Sequence, residues 1–389
     1  MASLIRAGVH AAAITAGLWC AGFAVALPLY TVTDLGRGTS AYAINNAGQV
    51  TGIDFSVSSA FVYTPGIGVR HIGTLDGFDW ATGYGINEAG AVAGMAHTQS
   101  TFRAFRWDSG TGIVDLGMGF FSTAMDIDSH GAITGSARFG PVALTAYVRS
   151  PSGGVLNLGT LGGVGSSGVA INDHGQVTGS SNTGTPTLNG PEHAFLYTPG
   201  AGMVDLGTLG GDFSFGRAIN NAGQVTGNWI AADPTEVFDP ERGAAADGRQ
   251  VNAFLYTEGL GMVDIGTIND GDATGFGIDR SGHVVGEVFY QEAGARPYPN
   301  IAIAFYYSPE TGMVDLQSRL VAADHAKWSL NGARAINDRG QIVAFAFPND
   351  DFDSSAVRAV LLTPVPEPEQ AALMLIGLGA VAFLRRRRR

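Results

Sequence analysis

Apolar and polar residues alternate in short runs along most of this chain, and the runs recur in the same order. The fourth recurrence is the clearest: A-I-N-D-H-G-Q-V-T-G is followed by H-A-F-L-Y-T-P-G and then by M-V-D-L-G-T-L-G-G. Short runs of this kind, bounded by Gly, Pro or Asn, predict β-strands. No apolar spacing of 3.6 residues persists for more than about ten residues in the body of the chain, so we expect few helices.

Each recurrence contains the motif Ile-(Asn/Asp)-x-x-Gly-x-(Val/Ile), in which x stands for any residue. It begins at Ile44, Ile86, Ile127, Ile171, Ile219, Ile278 and Ile336. Two copies, 43–52 and 218–227, share the decapeptide A-I-N-N-A-G-Q-V-T-G without a change. Each copy predicts four strands, which we name a to d: a ends at Ile-Asn, b is Gln-Val-Thr-Gly, c is Ala-Phe-Leu-Tyr-Thr and d is Met-Val-Asp-Leu-Gly. Four antiparallel strands in about 42 residues are the unit of a β-propeller blade.

The two ends of the repeated region complement each other. The seventh copy lacks strand d, whereas residues 27–36, L-P-L-Y-T-V-T-D-L-G, contain a strand d with no strand before it. An open stack of repeats needs capping units, but complementary ends fit a closed ring. We therefore predict an all-β fold over 27–364, a propeller of seven four-stranded blades closed by pairing of the N-terminal strand with the last blade. A β-solenoid and a different blade count are the alternatives.

The first 26 residues have the order of a secretory signal peptide. Arg6 precedes an apolar run from Ala11 to Ala26, and small residues stand at Ala24 and Ala26. This order predicts export and cleavage after Ala26. An uncleaved membrane anchor is the alternative, although the run is shorter than the ~20 residues that spanning requires. Cys20 lies within this segment and is the only cysteine, so the exported body would contain no disulfide.

The last 25 residues, 365–389, combine a short motif, an apolar segment and a basic end. The apolar segment, 371–384, would reach ~21 Å as a helix against a hydrocarbon core of ~30 Å, so it predicts a marginal transmembrane helix with its arginines in the cytoplasm. The order resembles the PEP-CTERM sorting signal that exosortases recognise in Gram-negative bacteria. The sorting residues are Pro366, Glu367, Pro368, Arg385, Arg386, Arg387, Arg388 and Arg389.

That resemblance implies an exosortase-type processing enzyme as partner, a transient stay in the inner membrane, and delivery to the cell surface or the extracellular matrix. An ordinary C-terminal anchor and a basic patch for nucleic acid are the alternatives. Acidic residues outnumber basic ones by 34 to 22, and such a body repels phosphate backbones. We therefore expect no nucleic acid partner.

The repeats also resemble a known family. A-F-L-Y-T-P-G-A-G-M-V-D-L-G-T-L-G-G and A-I-N-N-A-G-Q-V-T-G are similar to the bacterial HAF extracellular repeat, whose His-Ala-Phe stands here as His193, Ala194 and Phe195. The similarity extends over nearly all of 30–364 and departs in the third copy, where strand c reads A-Y-V-R-S-P and strand d reads V-L-N-L-G, and in the seventh. It implies an extracellular location and no particular activity.

The internal repeats allow residues that stabilise every blade to be distinguished from residues that form a single binding site. Residues that recur in most blades serve the blade, so the Asn of each a to b turn predicts a turn residue. The strand d carboxylates could form a ring of cation ligands around the channel, but bonds to turn amides within each blade are the favoured interpretation. These carboxylates are Asp34, Asp115, Asp205, Asp264 and Asp315, with His71 and Asn157 in the remaining two copies.

The blades differ most in their b to c and d to a connections, which parity places on one face of the ring. Aromatic rings beside carboxylates in such loops suit sugar binding. The candidate binding face is therefore Trp80, Phe213, Trp229, Asp239, Tyr290, Tyr298 and Trp328. The alternative is that these aromatic rings pack between the blades.

No catalytic motif is present, neither G-x-S-x-G nor H-E-x-x-H, so the chain predicts no enzyme and no cofactor. The acidic stretches 270–272 and 349–353 could bind Ca²⁺ weakly, or could be solvated loops. We expect a noncatalytic surface or matrix protein that binds polysaccharide or another surface protein. The alternative is a secreted glycosidase or lyase whose paired carboxylates come from different blades; two buried carboxylates ~5 to 10 Å apart at the channel mouth would favour it.

Overall fold

The computed structural model describes residues 27–140, 143–184, 190–231, 250–291, 300–351 and 356–366. The predicted signal peptide, 1–26, and the predicted apolar helix, 371–384, lie outside these residues. Within the described ranges, no helix is long and apolar enough to cross a membrane.

Seven antiparallel sheets of four strands each account for the strands of the described chain. Six sheets are consecutive in sequence and form blades 1 to 6. Blade 1 has β2 (Thr39–Ile44), β3 (Val50–Asp54), β4 (Ser59–Thr64) and β5 (Gly68–Gly73); blade 2 has β6 (Trp80–Ile86), β7 (Val92–His97), β8 (Phe102–Asp108) and β9 (Gly112–Asp115); blade 3 has β10 (Asp126–Ile127), β11 (Ile133–Arg138), β12 (Leu144–Arg149) and β13 (Val155–Gly159).

The next three blades follow the same plan. Blade 4 has β14 (Gly162–Ile171), β15 (Val177–Thr183), β16 (Glu192–Thr198) and β17 (Gly202–Asp205); blade 5 has β18 (Phe213–Ile219), β19 (Val225–Ile230), β20 (Val251–Thr257) and β21 (Gly261–Asp264); blade 6 has β22 (Asp272–Ile278), β23 (Val284–Gln291), β24 (Asn300–Ser308) and β25 (Gly312–Asp315).

Blade 7 closes the ring. It has β26 (Trp328–Ile336), β27 (Ile342–Pro348) and β28 (Arg358–Pro364), and its fourth strand is β1 (Tyr30–Arg37). β1 pairs antiparallel with β28, and Tyr30 lies opposite Pro364. This pairing confirms the seven-bladed ring and its closure by the N-terminal strand, as the complementary ends predict. The only described helices are short: a 3₁₀ helix, Leu316–Arg319, and α1, Ala322–His325, between blades 6 and 7.

Strand b reads Gln-Val-Thr-Gly in blades 1, 4 and 5, and these residues hold the blade together. In blade 5, Val225 is fully buried, and Thr226 Oγ1 donates to the backbone oxygen of Phe254 on strand c at 2.7 Å. A side chain on Gly227 would overlap the backbone oxygen of Phe215 on strand a. In these three blades strand b therefore combines a core residue, a hydroxyl and a glycine in that order, whereas blades 2, 6 and 7 lack the hydroxyl.

The repeated Asn of the a to b turn joins neighbouring blades. Asn45 Oδ1 accepts from the amides of Ala47 and Gln49 within its own turn, at 3.1 and 2.9 Å. Its Nδ2 donates to the backbone oxygen of Asn87 in the next blade at 2.9 Å. The equivalent bond recurs from Asn87, Asn172, Asn220 and Asn337. The prediction of a scaffold role for this Asn is confirmed.

The repeated carboxylate of strand d serves its own blade. Asp205 Oδ1 accepts from the amide of Gly207 at 2.8 Å, and Oδ2 lies 2.8 Å from Nδ1 of His193 on strand c. Strand a packs against strand a of the next blade around the axis, and strand d is the outermost strand of each sheet. A carboxylate ring around the channel is therefore excluded, and the turn-amide interpretation holds.

Candidate functional site

The propeller axis opens into a cavity of about 240 Å³ at the end formed by the a to b turns. We call it the turn-side pocket. All seven blades contribute to its lining. Its polar residues include Asn46, Glu88, Asp126, Ser129, Asp173, Asn221, Arg280 and Asp338.

Most rim carboxylates of this pocket are engaged by the next blade. Asp338 Oδ1 accepts from the amide of Arg280 at 2.9 Å, and the amide of Asn46 donates to Glu88 Oε1 at 3.1 Å. Asp173 likewise accepts from the amide of Ser129 and from Asn221. These bonds connect the a to b turns of neighbouring blades. Nowhere in the described ranges do three or more His, Cys, Asp or Glu side chains gather as metal ligands.

Asp126 is the one departure from the repeat inside the pocket. The other six blades carry Ala or Gly at this position: Ala43, Gly85, Ala170, Ala218, Gly277 and Ala335. Its carboxylate accepts from its neighbour's amide, Ile127 N, at 2.8 Å and from Ile171 N of blade 4 at 2.9 Å. Burial raises the pKa of Asp126 to about 7, with smaller contributions from the charges of Asp128 and Asp173. The group therefore titrates near neutral pH.

A bulge in strand a turns one residue of each innermost strand out of the hydrogen-bonded ladder. In six blades the register skips the residue two places before the motif Ile. Bulges of this kind re-aim a side chain. The seven residues at this position are half-buried, and each follows a buried one, which fits side chains that face the axis. We call them the channel ring: Tyr42, Tyr84, Met125, Val169, Arg217, Phe276 and Arg334.

Part of the channel ring forms a continuous aromatic wall, together with Phe345 on strand b of blade 7. The Tyr42 ring centroid lies 5.3 Å from that of Tyr84 and 6.4 Å from that of Phe345. The Arg334 Cζ atom lies 4.9 Å from the centroid of Phe345 and 4.1 Å from that of Phe276. Burial raises the pKa of both tyrosines, so they stay neutral donors. The wall runs through blades 2, 1, 7 and 6.

The channel also contains two arginines in different environments. Arg334 Nη2 lies 2.9 Å from Oε2 of Glu287, and Glu287 is only 7% exposed. Burial raises the pKa of Glu287, and Arg334 opposes that shift. Arg217 makes no hydrogen bond or ion pair with any described residue, and its Nε is buried without a partner. Its Cζ lies 5.6 Å from the Phe215 ring.

The predicted binding face stays a prediction, and the structure places two of its members in the core. Phe213 and Trp328 are 7% and 2% exposed and fill the core between blades, because the start of strand a packs inward. Trp229 is half-buried against the core of blades 4 and 5. Trp80 is 37% exposed and its ring lies 4.9 Å from that of His97. Tyr290 is half-buried, and Asp239 and Tyr298 lie outside the described residues.

Sequence reasoning missed the channel ring, although a signal for it was present. Two places before the motif Ile, the seven copies read Tyr, Tyr, Met, Val, Arg, Phe and Arg, while the positions on either side are small in nearly every blade. Comparing the blades position by position would have separated this variable residue from the constant hairpin beside it. The same comparison would have found Asp126.

Comparisons with known proteins support the fold and the sorting tail. Residues 364–389 match the PEP-CTERM protein-sorting motif. No curated protein is significantly similar in sequence to this chain. The motif indicates an exported protein that an exosortase processes. Pro366 is the last described residue, and the rest of the sorting residues lie outside the described part.

The structural neighbours are propellers of low sequence identity. The β-propeller domain of the trilobed protease from Pyrococcus furiosus is 10% identical, with 87% of this chain and 98% of that chain covered and a TM-score of 0.51. Virginiamycin B lyase from Staphylococcus aureus is 10% identical, with coverages of 86% and 99% and a TM-score of 0.48.

TolB from Acinetobacter baumannii is 11% identical, with a TM-score of 0.42; 85% of this chain is covered, and the match spans 65% of TolB. Similarity at this level of identity shows the fold alone. The resemblance to the HAF repeat stays a prediction.

Proposed function

We propose that this chain is a noncatalytic cell-surface or matrix protein whose propeller binds extracellular polysaccharide in its axial channel. The observation that supports this most directly is the aromatic wall. Tyr42, Tyr84, Phe276 and Phe345 place flat apolar faces beside tyrosine hydroxyls and the Arg334 guanidinium. Sugar rings stack on such faces through their C–H groups and hydrogen-bond through their hydroxyls. The sorting motif supports the location in which such a ligand is found.

The hydrogen bonds made by the described rim carboxylates of the turn-side pocket support a noncatalytic role. Asp338, Glu88 and Asp173 accept backbone amides from neighbouring blades. A general acid or base needs an accessible carboxyl with room for substrate. The rim carboxylates are instead used to hold the blades in register.

One observation favours the enzymatic alternative, a glycosidase or lyase with carboxylates from different blades. Asp126 on blade 3 has a pKa near 7, and burial also raises the pKa of Glu287 on blade 6. Raised carboxyl pKa values are typical of general acids. Each carboxylate already has partners, however: two backbone amides for Asp126 and Arg334 for Glu287. We therefore keep this as the second candidate.

A glycan array followed by calorimetry tests the proposal, using residues 27–365, which contain all seven blades. We expect retention of at least one class of polysaccharide and a roughly five-fold weaker affinity for Tyr84→Ala, because stacking on one ring contributes about 1 kcal/mol. Trp80→Ala is the matched control on the face of the long connections. Loss in Trp80→Ala alone would move the site to that face, and retention of protein partners without any glycan would refute polysaccharide binding.

A turnover assay separates the two candidate functions. The retained polysaccharide is incubated with the protein, and reducing ends and unsaturated products are followed over many hours. An unchanged polymer supports the binding module. Cleavage that is abolished by Asp126→Ala, the residue that the repeat carries elsewhere, would establish the enzyme instead.

A further inference from the structure

The Arg217 side chain presents an unused positive charge to the channel. It occupies the bulge position of strand a in blade 5, where five of the other six blades carry a residue with no charge: Tyr42, Tyr84, Met125, Val169 and Phe276. No described residue accepts a hydrogen bond from its guanidinium or forms an ion pair with it. Burying a charge without a partner costs several kcal/mol, so an unpaired buried charge lowers the stability of the folded chain.

Arg334, the other arginine of the channel ring, has an ion-pair partner. Its guanidinium is paired with Glu287 at 2.9 Å, and it stacks on Phe276 and Phe345. Gly332 leaves room for that carboxylate, since a Cβ there would lie 2.6 Å from Glu287 Oε2. Arg217 has no such arrangement. Burial lowers the pKa of Arg217, and the carboxylates of Glu192 and Glu287 oppose that shift but bond elsewhere: Glu192 accepts from Ser180 and Glu287 pairs with Arg334.

We infer that Arg217 is the binding group for a carboxylate on the ligand, and hence that the polysaccharide contains uronic acid residues. This inference rests on the proposed function. A guanidinium binds a carboxylate through two parallel N–H···O bonds, which satisfies both partners and fixes the orientation of the sugar. The rings of Phe215 and Phe276 belong to the same and the next blade, so the carboxylate and the sugar ring find partners side by side.

The charge of the whole protein makes this recognition short-ranged. The chain has a net charge of −12, so it repels polyanions at a distance. An acidic polysaccharide would then be bound through the channel contact and not through a basic surface. Added salt screens the repulsion, so affinity should hold steady or rise between 50 and 300 mM NaCl, a range over which nonspecific ion exchange weakens.

The test compares oligogalacturonate with a neutral oligosaccharide of the same length, measured by calorimetry on residues 27–365. Arg217→Met removes the charge and keeps the length of the side chain. We expect it to weaken binding of the acidic oligomer about ten-fold or more and to leave the neutral oligomer unchanged. Arg339→Met, an exposed turn arginine, is the control for net charge and should bind like the wild type.

Stability without ligand separates a binding role from a structural one. Removing an unpaired buried charge should leave the midpoint of thermal unfolding of Arg217→Met unchanged or raise it. A lower midpoint with unchanged binding would overturn the inference. Equal affinity for the acidic and neutral oligomers, unaffected by Arg217→Met, would overturn it while leaving the proposed function standing. Failure to bind either oligomer, or any glycan on the array, would remove the proposed function as well.

Discussion

Arg334 on strand a of blade 7 and Glu287 on strand b of blade 6 form an ion pair inside the channel, with Nη2 and Oε2 2.9 Å apart. The pair crosses between blades, and the Glu287 residue is almost fully buried. In such a place the attraction of the two charges offsets the cost of removing both from water only while both are present. The pair therefore couples blade packing to the geometry of the aromatic wall.

Breaking this pair from one side should be costly. Arg334→Met leaves Glu287 buried without its partner, and we expect a loss of about 3 kcal/mol in the free energy of unfolding, measured by urea denaturation. The double variant Arg334→Met/Glu287→Met should recover much of that loss. Arg106→Met, which breaks the more exposed pair with Asp108, is the control and should cost less than about 1 kcal/mol. Equal losses in Arg334→Met and Arg106→Met would show that the buried pair is not coupled to stability.

Replacing a glycine that lies between two blades with a larger residue should destabilise the protein. A Cβ on Gly275 of blade 6 would overlap Oγ1 of Thr226 in blade 5, and that hydroxyl is already bonded to Phe254. We expect Gly275→Ala to lower the free energy of unfolding by about 1 to 3 kcal/mol. Gly140→Ala has open space around its Cβ and should be nearly neutral. Thermal unfolding of the two variants checks this, and a stable Gly275→Ala protein would mean that the blades can move apart at no cost.

The N-terminal strand should be required for a stable ring. Tyr30 is 2% exposed and packs in the core of blade 7 with Leu320 and Trp328. We expect Tyr30→Ala to cost about 3 to 5 kcal/mol, and the freed strand to become sensitive to limited proteolysis. Thr33→Ala, an exposed position on the same strand, should change neither property. If Tyr30→Ala unfolds at the wild-type temperature, closure by β1 contributes little to stability.

Asp126 should make the protein less stable as the pH rises. Its pKa in the folded state is about 7, whereas the ordinary value is 3.8, so the folded chain binds a proton that the unfolded chain has released. Stability from this group is present below about pH 4, falls as the pH rises through about 7, and has a slope of at most ~1.4 kcal/mol per pH unit. Urea unfolding at pH 5 and pH 8 measures the difference.

The matched variant for this effect comes from the repeat. Asp126→Ala introduces the residue that several other blades carry, and it should flatten the pH dependence between pH 5 and 8. Asp128→Asn, which restores the common turn residue, should leave that dependence in place. A slope that persists in Asp126→Ala would assign it to another group.

Much of the architecture follows from repetition, because each blade must satisfy the same physical requirements. Val225 packs in the core, Thr226 bonds to a backbone oxygen and Asn45 bonds to turn amides, so the same residue types return in most blades. The blade count and the pairing of β1 with β28 follow from counting strands at the two ends. The sorting tail is likewise local in sequence, since its motif, apolar segment and arginines are contiguous.

The channel depends on contacts that no local pattern contains. A one-residue bulge turns Arg217 toward the axis, and its lack of a partner depends on which side chains blades 4, 6 and 7 place nearby. The burial of Phe213 and Trp328 depends in the same way on how closely adjacent blades approach. Hydrogen-bond patterns within a hairpin are short-range and recur with the repeat. Burial and charge pairing around the axis are long-range, and they arise only when seven different blades meet.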